Sequence, residues 1–251
     1  MTPVLIAALS LTILFTSFLS GVFGMAGGLI LVGVLLALMP LPEAMQLHAV
    51  TQLASNGWRS LLWFRHIHWR PIGFFAAGAA VAVGLWSLIS FVPPTAVALL
   101  LLGCSPFVVR ALPAGFRPDP ARASHCVGYG GACMSLMILT GVSGPLLDSF
   151  FLGGGMERRA IIATKAACQV FGHAFKWIYF ASVAAVGIDP LVAVLAVLFS
   201  MAGTTAARRV VEAMSDTQYR RWAGRLITVI AITYIARGGW LLVMGETAAS
   251  P

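Results

Sequence analysis

Long apolar runs alternate with short polar loops along almost the whole chain. Runs of the length that crosses a bilayer as a helix, about 17–25 residues, lie at 43–64, 71–91, 94–112, 157–181, 189–209 and 222–243. Two longer apolar segments, 3–39 and 123–153, are each interrupted halfway. This pattern predicts an all-α integral membrane protein, and we expect residues 1–251 to form a single membrane domain.

Glycine marks both interruptions. The first reads SGVFGMAGG over 20–28, and the second reads TGVSGPLLD over 140–148. Irregular backbone at membrane depth is tolerated only against protein or around a watery cavity, because each unpaired N–H or C=O in lipid costs several kcal/mol. We therefore expect backbone breaks at 21–28 and 141–145 that face the protein interior.

The two halves of the chain resemble each other. Each has a broken segment followed by three helices, and the two glycine-rich motifs correspond. The next helix opens with Pro42-Glu43 in one half and with Met156-Glu157 in the other, and Ala49 and Trp63 correspond to Ala163 and Trp177. The spacing between partners is about the same throughout, which favours a duplication. The sequence predicts internal repeats over 3–112 and 123–243.

Positive charge indicates how the segments cross the membrane. The basic loops contain Arg59, Arg65, Arg70, Arg110, Arg117, Arg122, Arg158, Arg159, Arg208, Arg209, Arg220, Arg221 and Arg225. If each broken segment crossed once, these loops would fall on both sides, contrary to the positive-inside rule. If each broken segment is a hairpin, all of them are cytoplasmic. Three full spans then follow each hairpin, so the halves are inverted, a plan common among secondary transporters.

The amino-acid composition argues against several classes of function. The chain is 59% hydrophobic and 10% charged, with a net charge of +8. Its cations sit in short loops where they set topology, so nucleic-acid binding is a poor interpretation. A membrane-embedded enzyme would need a nucleophile–base pair, paired carboxylates or a metal constellation. Of eight Asp and Glu residues, Asp148 alone is expected within the membrane, so we expect no enzyme, no metal and no cofactor.

Lys165 is the most informative side chain. It lies eight residues after Glu157, which places it about 12 Å along its helix, near the bilayer centre. A cation at this depth is costly and marks a functional site by default. The structural alternative is an ion pair with Asp148, which the second hairpin would bring close; the two roles are compatible.

Two polar stripes follow from helical spacing. Gln169, His173 and Lys176 continue the stripe that Lys165 begins, and the matching helix of the first half carries His48, Gln52, Asn56 and Arg59. If the stripes face each other, they form an aqueous path; the alternative is interhelical hydrogen bonding that holds the helices together. His48, His173 and Asp148 are the candidates for coupling transport to protons, against a structural, hydrogen-bonded role for each histidine.

Backbone N–H groups at the breaks are suited to an anion. A crossing anion must exchange its hydration shell for fixed donors, which glycine-rich backbone and helix N-termini supply. The candidate binding residues are Gly24, Gly27, Gly28, Gly141, Ser143 and Gly144, together with Gln52, Asn56, Lys165 and Gln169. The alternative is that the glycines only allow close helix packing.

The strings GVFGMAGGLIL, MPLPEAMQLHAVTQLASN and GVSGPLLDSFFLGGGMERRAIIATKAACQVFGHAFKWIYF resemble the TauE/SafE family of sulfite exporters. The resemblance implies a multi-pass protein of a bacterial inner membrane that moves sulfite, sulfonates or related sulfur oxyanions. Transport of small organic carboxylates and a non-transporting membrane subunit remain as alternatives. The expected partners are a small anion and membrane lipid, and a homo-oligomer is compatible with the sequence.

Overall fold

The computed structural model describes residues 2–113, 119–152, 156–184, 187–213 and 216–244. Within these residues the chain is helical and has no β-strand. The helices are α1 (Pro3–Phe23), α2 (Ala26–Leu38), α3 (Leu41–Leu62), α4 (Trp69–Ile89), α5 (Thr95–Ala111), α6 (Ala123–Thr140), α7 (Gly144–Leu152), α8 (Arg158–Val183), α9 (Pro190–Ala213) and α10 (Asp216–Val243). Arg117, Gly153 and the side chains of Arg158 and Arg220 lie outside the described part.

Helices α1 and α2 form an antiparallel hairpin. Leu31 and Leu35 of α2 pack in one apolar cluster with Leu9 of α1, and Gly27 lies directly against the backbone of Thr16. A straight helix would carry residue 27 about 16 Å beyond residue 16. The chain therefore turns back between α1 and α2, as the charge pattern predicts.

Helices α6 and α7 form the second hairpin. The ring of Tyr129 stacks on the ring of Phe150, with centroids 4.6 Å apart. Tyr129 lies well before the end of α6 at Thr140, and Phe150 lies near the end of α7, so α7 must run back along α6.

The two halves exchange contacts in a symmetric way. Helix α1 packs on α9 and its counterpart α6 packs on α4; α2 packs on α10 and α7 on α5; α3 packs on α9 and α8 on α4. Helices α3 and α8 pack on each other, as do α5 and α10. Each of these contacts has a counterpart in which the halves are interchanged, which is the pattern of an approximate two-fold relation.

Equivalent helices run in opposite directions. Gln46 near the start of α3 donates from Nε2 to the Phe180 carbonyl near the end of α8, over 3.3 Å. Farther along α3, Gly57 lies opposite Val170. In the same way Arg110, at the end of α5, donates to Thr228 in α10 over 2.8 Å. An antiparallel relation between counterparts makes this an inverted repeat, which confirms the predicted fold class.

The helices that were expected to span the membrane differ in how apolar they are. In the described part of the chain, four helical segments are long and apolar enough to cross a membrane: Pro3–Phe23, Trp69–Ile89, Pro190–Val210 and Gly224–Val243. Helices α3 and α8 are long enough, at 22 and 26 residues, but polar, because their polar stripes are buried between the halves. Phe15, Val81 and Leu198 are more than half exposed on the outer surface, as lipid-facing side chains are.

The first break is shorter than the predicted residues 21–28, because only Gly24 and Met25 lie between α1 and α2. The two glycine motifs also correspond in the structure with a different register from that of the sequence alignment. Aligning the motifs places Gly21 opposite Gly141. The structure instead continues α1 through Gly21 and ends it at Gly24 with φ +77°, whereas α6 ends at Gly141 with φ +84°. A Cβ at Gly21 would overlap the Cβ of Ala207. Gly21 therefore serves the packing of α9 on α1, and Gly24 is the structural counterpart of Gly141.

Candidate functional site

The two helix breaks meet inside the protein. A Cβ on Gly144, the first residue of α7, would lie 2.5 Å from the Cβ of Met25, the residue before α2. The N-termini of α2 and α7 therefore lie at one junction. The first turn of a helix has N–H groups without intrahelical partners and a partial positive charge. The junction gathers such groups from both halves.

The glycines of the first break have different surroundings. Gly27 lies against Thr16 and Ser20 of α1, where a Cβ would overlap the backbone. Gly28 instead faces the side chain of Gln52, and a Cβ there would lie 3.4 Å from Nε2. Gly27 thus closes the hairpin, and Gly28 is the glycine that the structure brings to a predicted polar residue.

The second break is buried as well. Gly141 packs on Met45, whose Sδ would lie 2.6 Å from an added Cβ. Ser143 is 1% exposed and its carbonyl accepts from the amide of Leu147 over 3.0 Å. Ser143 and Gly144 therefore form the start of α7, where the sequence predicts anion-binding backbone.

Buried amides extend from the junction along α3. Asn56 Nδ2 donates to the carbonyl oxygen of Gln52 over 2.9 Å and to its Oε1 over 3.3 Å. Arg59 Nη1 donates to Asn56 Oδ1 over 3.3 Å. Nε2 of Gln52 is buried and has no hydrogen-bond partner among the described residues. Leaving a buried donor unpaired costs about 1–3 kcal/mol, so this N–H is well placed to donate a hydrogen bond to an oxygen of a ligand.

A hydrogen-bonded chain joins the two breaks. His48 Nε2 lies 3.0 Å from the Gly28 carbonyl oxygen, and Lys176 Nζ lies 2.7 Å from His48 Nδ1. Lys176 also donates to the Gly141 carbonyl over 3.0 Å. A carbonyl only accepts, so Nε2 carries the hydrogen and Nδ1 accepts from Lys176. We call this chain, from Gly28 through His48 and Lys176 to Gly141, the tie.

The sequence predicts that Lys176 belongs to the polar stripe of α8, but it does not identify Lys176 as a residue of the binding site. Helix α8 continues to Val183, and Lys176 is fully buried. The spacing from Lys165 was the available indication. His173, on the same stripe, is also buried and its ring lies 5.5 Å from that of His48.

Lys165 is paired, as its structural alternative predicts. Its Nζ forms an ion pair with Asp148 of α7, and both side chains are largely buried. Gln169, one turn farther along α8, is also buried. Lys165 and Lys176 are separated by about 16 Å along the helix, so one small anion cannot contact both at once in this conformation.

The polar stripes of α3 and α8 meet where His48 lies against His173 and Lys176. Direct hydrogen bonds at the tie and the ring contact between His48 and His173 leave no open path at this level between the described residues of the stripes.

Residues 9–234 match the family model described as sulfite exporter TauE/SafE. No curated protein and no solved structure matches the chain significantly. With nearly all of its length matched, the chain belongs to the sulfite exporter TauE/SafE family of multi-pass membrane transporters.

Proposed function

We propose that this protein is a secondary transporter of sulfite, a sulfonate or a related sulfur oxyanion, and that its inverted halves work by alternating access. The observation that carries the proposal is the meeting of two helix N-termini at Met25 and Gly144. Paired broken helices whose N-termini point at anionic groups are the binding-site plan of several inverted-repeat transporters.

The binding site in this proposal is the junction and the amides beside it. Backbone N–H groups near Gly24, Gly27, Gly28, Gly141, Ser143 and Gly144 replace the hydration shell of the oxyanion. Nε2 of Gln52, which has no partner among the described residues, donates to one oxygen, and Asn56 and Gln169 orient the site. Lys165 balances the substrate charge on the side where α7 meets α8, and Asp148 holds it there.

The tie links substrate binding to motion of the halves. Because His48 and Lys176 lie on α3 and α8, any separation of these helices lengthens the contact between Nδ1 and Nζ. A single hydrogen lies between the two nitrogens, so the pair shares one proton at this contact. Together with His173 and Asp148, this proton is our candidate for coupling transport to a proton gradient.

The proposed location is a bacterial inner membrane, with the arginine-rich loops in the cytoplasm. Two alternatives use the same residues differently. A carboxylate would accept from the same N–H groups, and a non-transporting subunit would present the polar stripes without any flux. The internal two-fold arrangement favours transport, because the two halves of one chain can form a pathway between them without a partner protein.

Flux through purified protein tests the proposal. The protein is reconstituted in liposomes, and uptake of labelled sulfite, thiosulfate, sulfoacetate and small carboxylates is measured under a pH gradient and under a voltage. We expect saturable uptake of a sulfur oxyanion above that of protein-free liposomes. Preferred uptake of carboxylates would select the first alternative, and no flux of any anion would overturn the transporter assignment.

A further inference from the structure

A tyrosine of the second half is buried against the broken helix of the first half. Tyr234 of α10 is 7% exposed, and its hydroxyl donates to the backbone carbonyl of Leu29 in α2. Leu29 directly follows Gly28, the glycine that faces the side chain of Gln52. Tyr234 therefore holds the α2 backbone one residue away from the proposed anion site.

Gly33 makes room for this tyrosine. A Cβ at Gly33 would lie 2.5 Å from Cε1 and 2.7 Å from Cζ of the Tyr234 ring. Gly33 comes four residues after Leu29, so both lie on one face of α2. A carbonyl oxygen has two lone pairs, so that of Leu29 can accept from the tyrosine as well as from the amide one turn farther along the helix. Gly33 and the hydroxyl of Tyr234 thus form one contact between α2 and α10.

Helix α2 has no polar side chain that could fix its rotation. Its 13 residues are apolar or glycine. Its backbone carbonyls accept instead, that of Gly28 from His48 and that of Leu29 from Tyr234. A buried hydroxyl that loses its partner costs free energy, so Tyr234 resists rotation of α2. Successive residues point about 100° apart around a helix, and a modest rotation would turn Gly28 away from Gln52.

The two contacts to α2 come from different halves of the chain. His48 lies on α3 and is joined to Lys176 of α8, so its bond to Gly28 depends on the tie. Tyr234 lies on α10, which packs on α2 and α5. Separation of α3 from α8 lengthens the tie, but the contact of Tyr234 involves neither of these helices. Tyr234 can therefore hold α2 in place through such a motion.

The equivalent position in the other half is apolar. Helices α5 and α10 pack through two equivalent glycine contacts, Gly103 on the carbonyl of Ala231 and Gly238 on the carbonyl of Ala96. The same register makes Leu99 of α5 the counterpart of Tyr234. Leu99 is buried and has no hydroxyl. Packing alone therefore does not require a hydrogen-bonding side chain at this position.

We propose that Tyr234 is a positioning residue of the anion site. Its hydroxyl fixes α2 against α10, so that Gly28 and the first-turn N–H groups of α2 stay aimed at the junction while the tie breaks and re-forms. Tyr234 itself does not touch the anion. The inference rests on the proposed transport function and adds to it the side chain that holds one of the two helix N-termini.

Uptake kinetics distinguish positioning from general stability. Uptake of labelled sulfite into proteoliposomes is measured with native protein, Tyr234→Phe and the matched control Tyr179→Phe. Tyr179 is also buried, and its hydroxyl donates to the carbonyl of Phe91 over 2.6 Å. Each variant loses one buried hydrogen bond, so we expect similar falls in melting temperature. We expect Tyr234→Phe to raise the half-saturating concentration about fivefold, the worth of one hydrogen bond, and Tyr179→Phe to match native protein.

An unchanged half-saturating concentration in Tyr234→Phe, or an equal rise in both variants, would overturn the positioning role. Hydrogen–deuterium exchange gives a readout that needs no transport. We expect the amides of Ala26–Leu38 to exchange about fivefold faster in Tyr234→Phe, and those of Gly144–Leu152 to keep the native rate. If native protein moves no sulfite, the transport proposal fails, and the exchange rates alone decide whether Tyr234 fixes α2. Native exchange rates in Ala26–Leu38 would then overturn that role.

Discussion

Nζ of Lys176 lies 2.7 Å from Nδ1 of His48, and this contact joins the two halves close to both helix breaks. His48 belongs to α3 of the first half and Lys176 to α8 of the second. Each also reaches a backbone carbonyl at a break, Gly28 for His48 and Gly141 for Lys176. One pair of side chains therefore responds to the position of both hairpins.

A double-mutant cycle measures this tie. We expect His48→Leu and Lys176→Met each to destabilise the purified protein by about 1–3 kcal/mol, because each leaves a buried partner unpaired. The double variant is expected to lose less than the sum of the two, with a coupling energy of at least about 0.5 kcal/mol. Unfolding in detergent gives these values. Additive losses would show that the two residues act independently.

Substitutions at the ion pair between Lys165 and Asp148 distinguish a structural role of Lys165 from a role in transport. Lys165→Met leaves the Asp148 carboxylate without its cation, which costs up to about 3–5 kcal/mol at a buried pair. Lys165→Met combined with Asp148→Leu removes both charges, so we expect most of the stability to return. If Lys165 balances the substrate charge, this folded double variant does not take up sulfite. Normal uptake by the double variant would make the pair purely structural.

Neighbouring glycines of the first break are expected to respond differently to alanine. Gly27→Ala places a Cβ into the backbone of Thr16, so we expect a large loss of melting temperature or no folded protein. Gly28→Ala meets only the side chain of Gln52, at 3.4 Å. We expect this variant to fold but to need more sulfite for half-maximal uptake, because the Gln52 amide is displaced. A Gly28→Ala variant with native uptake would remove Gln52 from the site.

Alternating access predicts that a bond between the halves stops transport. Ser55 of α3 and Thr204 of α9 lie with their hydroxyl oxygens 2.8 Å apart, within reach of a disulfide after replacement by cysteine. In a background without the four native cysteines, we expect oxidation to abolish sulfite uptake and a reductant to restore it. The single-cysteine variants serve as controls. Full uptake by the cross-linked protein would argue against motion between these helices.

The fold could be predicted from the sequence because the lengths of the apolar segments and the positions of the basic loops are properties of whole segments and do not depend on individual contacts. The arginine-rich loops can share one side only if residues 3–39 and 123–153 turn back, and the structure turns back at both. The pair between Asp148 and Lys165 was also anticipated, since the second hairpin had to bring α7 to α8.

The tie was not accessible, because it depends on contacts between distant residues. His48 and Lys176 are far apart in the sequence, and no local pattern states that α3 and α8 run antiparallel with these two side chains level. The shift between the motifs has the same origin. Gly21 lies inside α1 and packs against Ala207 of α9, a residue that the motif itself does not contain.

The central claim is that a sulfur oxyanion binds where the two breaks meet and accepts a hydrogen bond from Gln52. Its most direct test is the concentration dependence of labelled sulfite uptake into proteoliposomes with native protein, Gln52→Ala and the lipid-facing control Leu198→Ala. We expect saturable uptake by native protein and by the control, and a half-saturating concentration at least about fivefold higher for Gln52→Ala, the worth of one hydrogen bond of about 1 kcal/mol. Identical uptake curves for native protein and Gln52→Ala would contradict the claim.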